Sequence, residues 1–178
     1  MGFINCIMIS RLRLATKKDA QLIAEISQLT FRHTFAPMNT EEDMDIFLNE
    51  QFTKGRLMLE VGAPGNIFYL AYLGEEVAGY MKLRTGYEPP TMKKANAMEL
   101  ARLYTMPGMV GKGIGALMMR QAIETAKANG HKRLWLGVWE KNQRAIDFYT
   151  QWGFKRFGET DFVLGNDVQI DWLMQKPL

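Results

Sequence analysis

Residues 98–130 read MELARLYTMPGMVGKGIGALMMRQAIETAKANG: an apolar run suited to a strand, a glycine-rich turn, then an amphipathic helix. A backbone of this kind is made to grip an anion. Gly111, Gly113 and Gly115 can present amide N–H groups without side-chain obstruction, and the helix that follows aims its unsatisfied N-terminal donors and positive dipole end at the same point. The expected guest is a pyrophosphate. Two familiar phosphate-binding turns do not account for it. A P-loop requires Gly-Lys followed by Ser or Thr, whereas Gly111-Lys112 is followed by Gly113, which leaves no hydroxyl for Mg²⁺. The dinucleotide fingerprint G-x-G-x-x-G is met only in part, because Gly113-Ile114-Gly115 continues with Ala116-Leu117-Met118 and no early βαβ unit frames it.

The rest of the chain sets bounds on what such a site can serve. At 178 residues, 47% hydrophobic and 23% charged, the chain is expected to be a single domain, 1–178, that buries its own core. Basic and acidic residues number 22 and 19, a net charge of only +3 with no long block of one sign, so no extended nucleic-acid footprint is expected. Cys6 is the one cysteine, and His33 and His131 are the two histidines. They exclude an intramolecular disulfide framework and a Cys/His zinc cluster, so no metal is expected and a cytoplasmic address is the expectation. The opening MGFINCIMIS lacks a basic start and a small-residue cleavage pattern, and reads as a strand extension with Met8 as an alternative start. No apolar run is long enough to cross a bilayer, so no membrane partner is expected.

Residues 7–14 are expected to form a first strand, and Thr16 to cap a helix over 17–33 with Ala20, Ile23, Ala24, Ile26 and Leu29 at helical spacing. A second helix starts after Asn39 or Thr40. There Glu41, Glu42 and Asp43 favour the dipole's positive end, with attraction of a cationic substrate as the alternative reading. Residues 66–73 and 77–85 form a hairpin around Gly74-Glu75-Glu76, and a loop over 86–96 containing Pro89-Pro90 leads to the central strand, 97–106. A helix over 113–129 stops at Gly130, a short buried strand covers 134–138, and a helix over 142–152 stops at Gly153. Residues 154–164 and 168–176 close the chain as a hairpin around Gly165-Asn166.

The run Leu103-Tyr104-Thr105-Met106-Pro107 with Gly111-Lys112-Gly113-Ile114-Gly115 resembles the acetyl-CoA-binding motif of the GCN5-related N-acetyltransferases (GNAT), whose usual form is (Gln/Arg)-x-x-Gly-x-(Gly/Ala). Val110 stands where that pattern carries Gln or Arg. The stretch VWEKNQRAIDFYTQWGF, 138–154, is similar to the second acetyl-CoA-contacting segment of the same superfamily through Asn142, Ala145, Tyr149, Gly153 and Phe154. Together with WGFKRFGE and the terminal WLMQKPL, the likeness extends to the PaiA-like branch of polyamine N-acetyltransferases and covers nearly the whole chain.

The resemblance implies an α/β (α+β) fold: a twisted, mixed, mostly antiparallel sheet of about seven strands with helices on both faces. It implies acetyl-CoA as cosubstrate, held by Leu103, Tyr104, Thr105, Gly111, Lys112, Gly113, Ile114, Gly115, Ala116, Asn142, Ala145 and Tyr149. It also implies direct transfer of acetyl to a primary amine, with a polyamine such as spermidine or spermine as the leading acceptor. Transfer of this kind requires a neutral amine, a stabilised oxyanion and a proton for the departing thiolate. Tyr149 maps to the general acid, with an aromatic packing residue as its plainer reading. Glu99 is the candidate base through a water, against a strand-end surface carboxylate. The oxyanion donor is expected to be a backbone N–H near Leu103, where the family's central strand bulges. Two alternatives stand beside this: another amine acceptor (a protein N-terminus, a lysine, a drug amine), or a non-catalytic acetyl-CoA-binding module, which Val110 alone favours. A homodimer is compatible with the resemblance.

Overall fold

Short runs rich in β-branched and aromatic residues alternate with capped amphipathic segments, and the backbone follows that order. The computed structural model describes residues 10–92 and 95–178. Its elements are β1 (Ser10–Leu14), α1 (Ala20–Phe35), α2 (Glu41–Gln51), α3 (Lys54–Glu60), β2 (Asn66–Leu73), β3 (Glu76–Arg84), β4 (Ala97–Thr105), α4 (Ile114–Ala128), β5 (Arg133–Trp139), α5 (Gln143–Gln151), β6 (Lys155–Leu164) and β7 (Asp167–Pro177). The expected strand start at 7–9, the strand extension, Met8 and Cys6 lie outside the described residues, as do Lys93 and Lys94 of the 86–96 loop.

Local chemistry sets the helix starts. The Asp19 carboxylate accepts the Thr16 N–H at 2.8 Å and closes a 3₁₀ turn that leads into α1. The Thr40 hydroxyl oxygen accepts the Asp43 N–H at 3.1 Å and caps α2. The seven-residue α3 was not expected from the sequence. It is too short to show periodicity and contains Gly55, yet Thr53 caps it by accepting the Arg56 N–H at 3.2 Å.

The seven strands form one sheet in the order β1-β2-β3-β4-β5-β7-β6. All neighbouring pairs are antiparallel except β4 with β5. On one face α4 and α5 pack Met118, Met119, Ala122 and Ile146 against Met81, Leu83 and Leu136. On the other, α1, α2 and α3 pack Ile23, Phe31, Met44 and Leu57 against Leu70 and Tyr80. The methionine pair of α4 is fully buried, so it serves as packing. No described helix is long and apolar enough to cross a membrane.

Candidate active site

A parallel pair of strands is only as long as its register allows, and here it is short. β4 and β5 pair at Ala97↔Arg133, Met98↔Leu134 and Glu99↔Trp135, and no further. Beyond Glu99 the strands separate: β4 keeps β3 as its partner out to Thr105, and β5 keeps β7, its partner from Arg133 onward, out to Trp139. The register skips Ala101 between Lys82↔Arg102 and Leu83↔Leu100, so the bulge sits at Ala101, two residues before the Leu103 position expected from the sequence. The divergence opens a cleft of about 510 Å³ between the strand ends, lined along β4 by Leu100 to Thr105 and along β5 by Gly137 to Trp139. The β4 edge facing β5 is thereby left without a strand partner beyond Glu99, as an extended guest requires.

The glycine turn closes one end. Gly111 and Gly113 have φ of +81° and +80°, the left-handed region that favours glycine, and a Cβ at either would meet nothing within 4 Å. Gly113 is the N-cap of α4, so the N–H groups of Ile114, Gly115 and Ala116 have no helical acceptor and point out of the helix end. Val110, Gly111, Gly113, Gly115 and Ala116 all line the cleft. The side chain of Ile114 instead belongs to the core, at 1% exposure, leaving only its backbone for a ligand. Lys112 is exposed outside the cleft lining, its Nζ 3.8 Å from Met109 Sδ.

From the far side α5 contributes Asn142, Ala145, Phe148 and Tyr149. Asn142 Oδ1 accepts the Ala145 N–H at 3.2 Å as the helix cap, which leaves the side-chain NH₂ with no hydrogen-bond partner among the described residues. Burial pushes the Tyr149 phenol up to about 12, so it keeps its proton at neutral pH. Thus Leu103, Tyr104, Thr105, the glycine turn, Asn142, Ala145 and Tyr149 converge on one cleft.

Glu99 does not join them. It sits where β4 and β5 are still paired, its side chain is 9% exposed, and it accepts a 2.5 Å ion-pair hydrogen bond from Arg84 Nε. Burial pushes its carboxyl up, against the pull of the Arg84 guanidinium. Nor do Glu41, Glu42 and Asp43 reach the cleft: Asp43 Oδ1 accepts the Asn166 N–H at 2.7 Å and anchors the β6–β7 turn on α2. His33 and His131 also lie outside the lining, the latter with Nδ1 3.0 Å from Asn96 Oδ1.

The end opposite the glycine turn is aromatic and was not read from the sequence. Phe31 and Phe35 of α1, Trp139 of β5 and Phe162 of β6 line it, and the Phe35 and Trp139 ring centroids lie 5.5 Å apart. Asp171 of β7 is the one acid among the described residues lining the cleft. The only available signal was an acid between Ile170 and Trp172, inside the otherwise apolar run 170–174. Burial pushes its carboxyl up to about 6, and no side-chain partner among the described residues offsets that cost.

Comparison with known proteins agrees with this geometry. Residues 23–154 match the model of the Acetyltransferase (GNAT) family. The chain is 37% identical over 163 residues to an uncharacterised N-acetyltransferase of Lactobacillus delbrueckii subsp. lactis, covering 92% of this chain and 94% of the relative. It is 25% identical over 148 residues to the spermidine N(1)-acetyltransferase of Thermoplasma acidophilum, covering 81% of this chain and 87% of the relative. Its fold is similar to that of the PaiA N-acetyltransferase of Thermoplasma acidophilum crystallised with coenzyme A, with a TM-score of 0.80, 24% identity, and coverage of 96% of this chain and 100% of the other.

Proposed function

Since the chain belongs to the GNAT acetyltransferase family, we propose that it transfers the acetyl group of acetyl-CoA directly to a primary amine held in the cleft where β4 and β5 part. The single observation that carries this reading is the convergence of a glycine-built anion cradle, an unpartnered strand edge and a protonated phenol on one cleft. The donors at the start of α4 suit the pyrophosphate. The free edge of β4 and the Asn142 NH₂ suit the amide-bearing pantetheine arm. Acetyl-CoA supplies a thioester whose carbonyl carbon an amine can attack. In this reading a backbone N–H of β4 near Leu103 stabilises the oxyanion, and Tyr149 gives its proton to the departing sulfur. The proton lost by the newly acylated nitrogen restores the phenol, so Tyr149 ends the cycle as it began. Val110 leaves the cradle without a polar side-chain contact, and the affinity then rests on backbone donors.

For the acceptor, the spermidine-acetylating relative supports a polyamine, as the resemblance implied. The cleft wall supports a second reading, a monoamine with an apolar body. Four aromatic side chains and a single carboxylate suit one ammonium group beside a hydrocarbon or ring better than a chain of several charges. The test is thiol release from acetyl-CoA with spermidine, spermine, phenethylamine, a lysine peptide and an aminoglycoside, beside calorimetric binding of acetyl-CoA alone. Release with any amine upholds acetyl transfer, and the preferred amine decides between the two acceptors. Tight binding of acetyl-CoA with release from none would leave a non-catalytic binding module.

A further inference from the structure

The geometry points to Asp171 as the residue that receives the acceptor's ammonium group and takes its proton before attack, the role expected of Glu99. This rests on the acetyl-transfer reading of the cleft. Asp171 pairs with Trp139 across β5–β7, so the two side chains leave the sheet on the same face, the face on which Trp139 meets Phe35 of α1. Gly137, two residues before Trp139, shares that face. A Cβ at Gly137 would come within 3.3 Å of Asp171 Oδ2, so the carboxylate lies over the one position of β5 that has no side chain to displace it. Gly137 itself lines the cleft. The floor there is open because of a glycine, and the carboxylate occupies the opening.

Tyr149 approaches from the other face of the sheet, on α5. Tyr104 links the two. Its phenol is pushed well up by burial, and the phenols of Tyr80 and Tyr149 and the Asp171 carboxylate act in the same direction against the Arg102 guanidinium. One hydroxyl therefore lies within electrostatic reach of both the candidate acid and the carboxylate, and the reacting thioester belongs between them. The other charged groups lining the cleft are Arg102 of β4 and Arg144 of α5, and α1, β5 and β6 contribute none to the lining; just after β5, Lys141 Nζ stands 5.8 Å from the ring centroid of Trp139, the cross-strand partner of Asp171. Arg102 is committed elsewhere: its two terminal nitrogens donate to Glu60 at 2.8 and 3.2 Å. Arg144 is exposed and makes no ion pair with Asp171. A largely buried carboxylate in an aromatic cleft with no ion-pair partner among the described residues costs free energy, and an arriving ammonium group offsets that cost.

The proton balance closes. R–NH₃⁺ gives one proton to Asp171 and becomes R–NH₂, whose lone pair forms the C–N bond as the C–S bond breaks. Tyr149 protonates the sulfur and is restored by the second nitrogen proton, and Asp171 returns its own proton to water. Net, one ammonium and acetyl-CoA give one amide, one thiol and one proton.

The test uses the full chain with acetyl-CoA saturating and the best amine of the panel. For Asp171→Asn, kcat/KM for the amine should fall by about 10²–10⁴-fold while calorimetric affinity for acetyl-CoA stays within about threefold, since Asp171 lies away from the cradle. The wild-type kcat/KM should rise with pH through about 6, where the carboxyl titrates. That rise should be absent in Asp171→Asn and present again, at a reduced rate, in Asp171→Glu. An Asp171→Asn enzyme with the wild-type rate and pH profile overturns the assignment and leaves acetyl transfer standing. A wild-type protein that binds acetyl-CoA and acetylates no amine overturns both.

Discussion

The roles proposed for Tyr149 and Gly113 lie at opposite ends of one reaction, and each has its own readout. Tyr149→Phe removes a hydroxyl while keeping a ring that packs 5.5 Å from Phe148 and 5.9 Å from Phe154. It should lower turnover by more than about tenfold with acetyl-CoA affinity nearly unchanged by calorimetry. Unchanged turnover would return Tyr149 to packing. Gly113→Glu places a side chain on a backbone with φ +80° and a negative charge at the anion cradle. It should abolish calorimetric binding of acetyl-CoA, whereas normal affinity would refute the cradle. Asp171, to which we assign the acceptor's proton, was hidden in the sequence because a single acid in the run 170–174 has no local motif. Glu99 was conspicuous in the sequence but lies one position too early, where the β4–β5 ladder is still closed.

The β3–β4 pair holds the cleft edge in place, and its closest approach is at Gly79. A Cβ there would overlap the carbonyl oxygen of Tyr104, in the strand that lines the cleft. Gly79→Ala should therefore force the two strands apart and cost about 1–3 kcal/mol, read as a lower denaturant midpoint. Because Tyr104 and Thr105 move with that edge, the KM for acetyl-CoA should rise as well; unchanged stability would show that the strands yield freely. Helix α5 carries a similar double duty in this reading, as Asn142 caps it through Oδ1 and its NH₂, unpartnered among the described residues, is the group proposed for the ligand. Caps of this kind are visible in a sequence because they operate over three residues, as Thr40 does for α2; α4 opens on Gly113 without a side-chain cap and, like α5, was anticipated from its glycine stop. The short α3 was not, since seven residues give neither a period nor a hydrophobic stripe.

Protons bound across the whole fold set its stability against pH, and two carboxyls work in opposite directions. The Arg13 guanidinium holds Asp19 down to about 2. Its contribution is present above the usual carboxylate range and is lost as pH falls toward 2. Asp171 is pushed up to about 6. The folded state then holds its proton more tightly than the unfolded chain, so stability declines as pH rises from about 4 to 6 and the cost is fully present above that. Asp171→Asn should accordingly raise Tm at about pH 8 and leave it nearly unchanged at about pH 3.5. Equal Tm values for variant and wild type at the higher pH would mean that the carboxylate is well solvated.

The family resemblance supplied the Asn142–Tyr149 segment and a seven-stranded sheet with helices on both faces; legible in the chain alone were the glycine turn, the helix it opens and the runs that form the strands and the other helices. Each depends on short-range rules: left-handed glycines, side-chain caps, and periods of two or 3.6 residues. The aromatic wall and Asp171 were not, because they depend on β7 inserting between β5 and β6 and on α1 lying across the same face. The cleft itself is defined by hydrogen bonds that β4 and β5 do not make beyond Glu99. No local pattern encodes the end of a ladder between strands about thirty-five residues apart, since long-range register is fixed by the packing of the whole sheet.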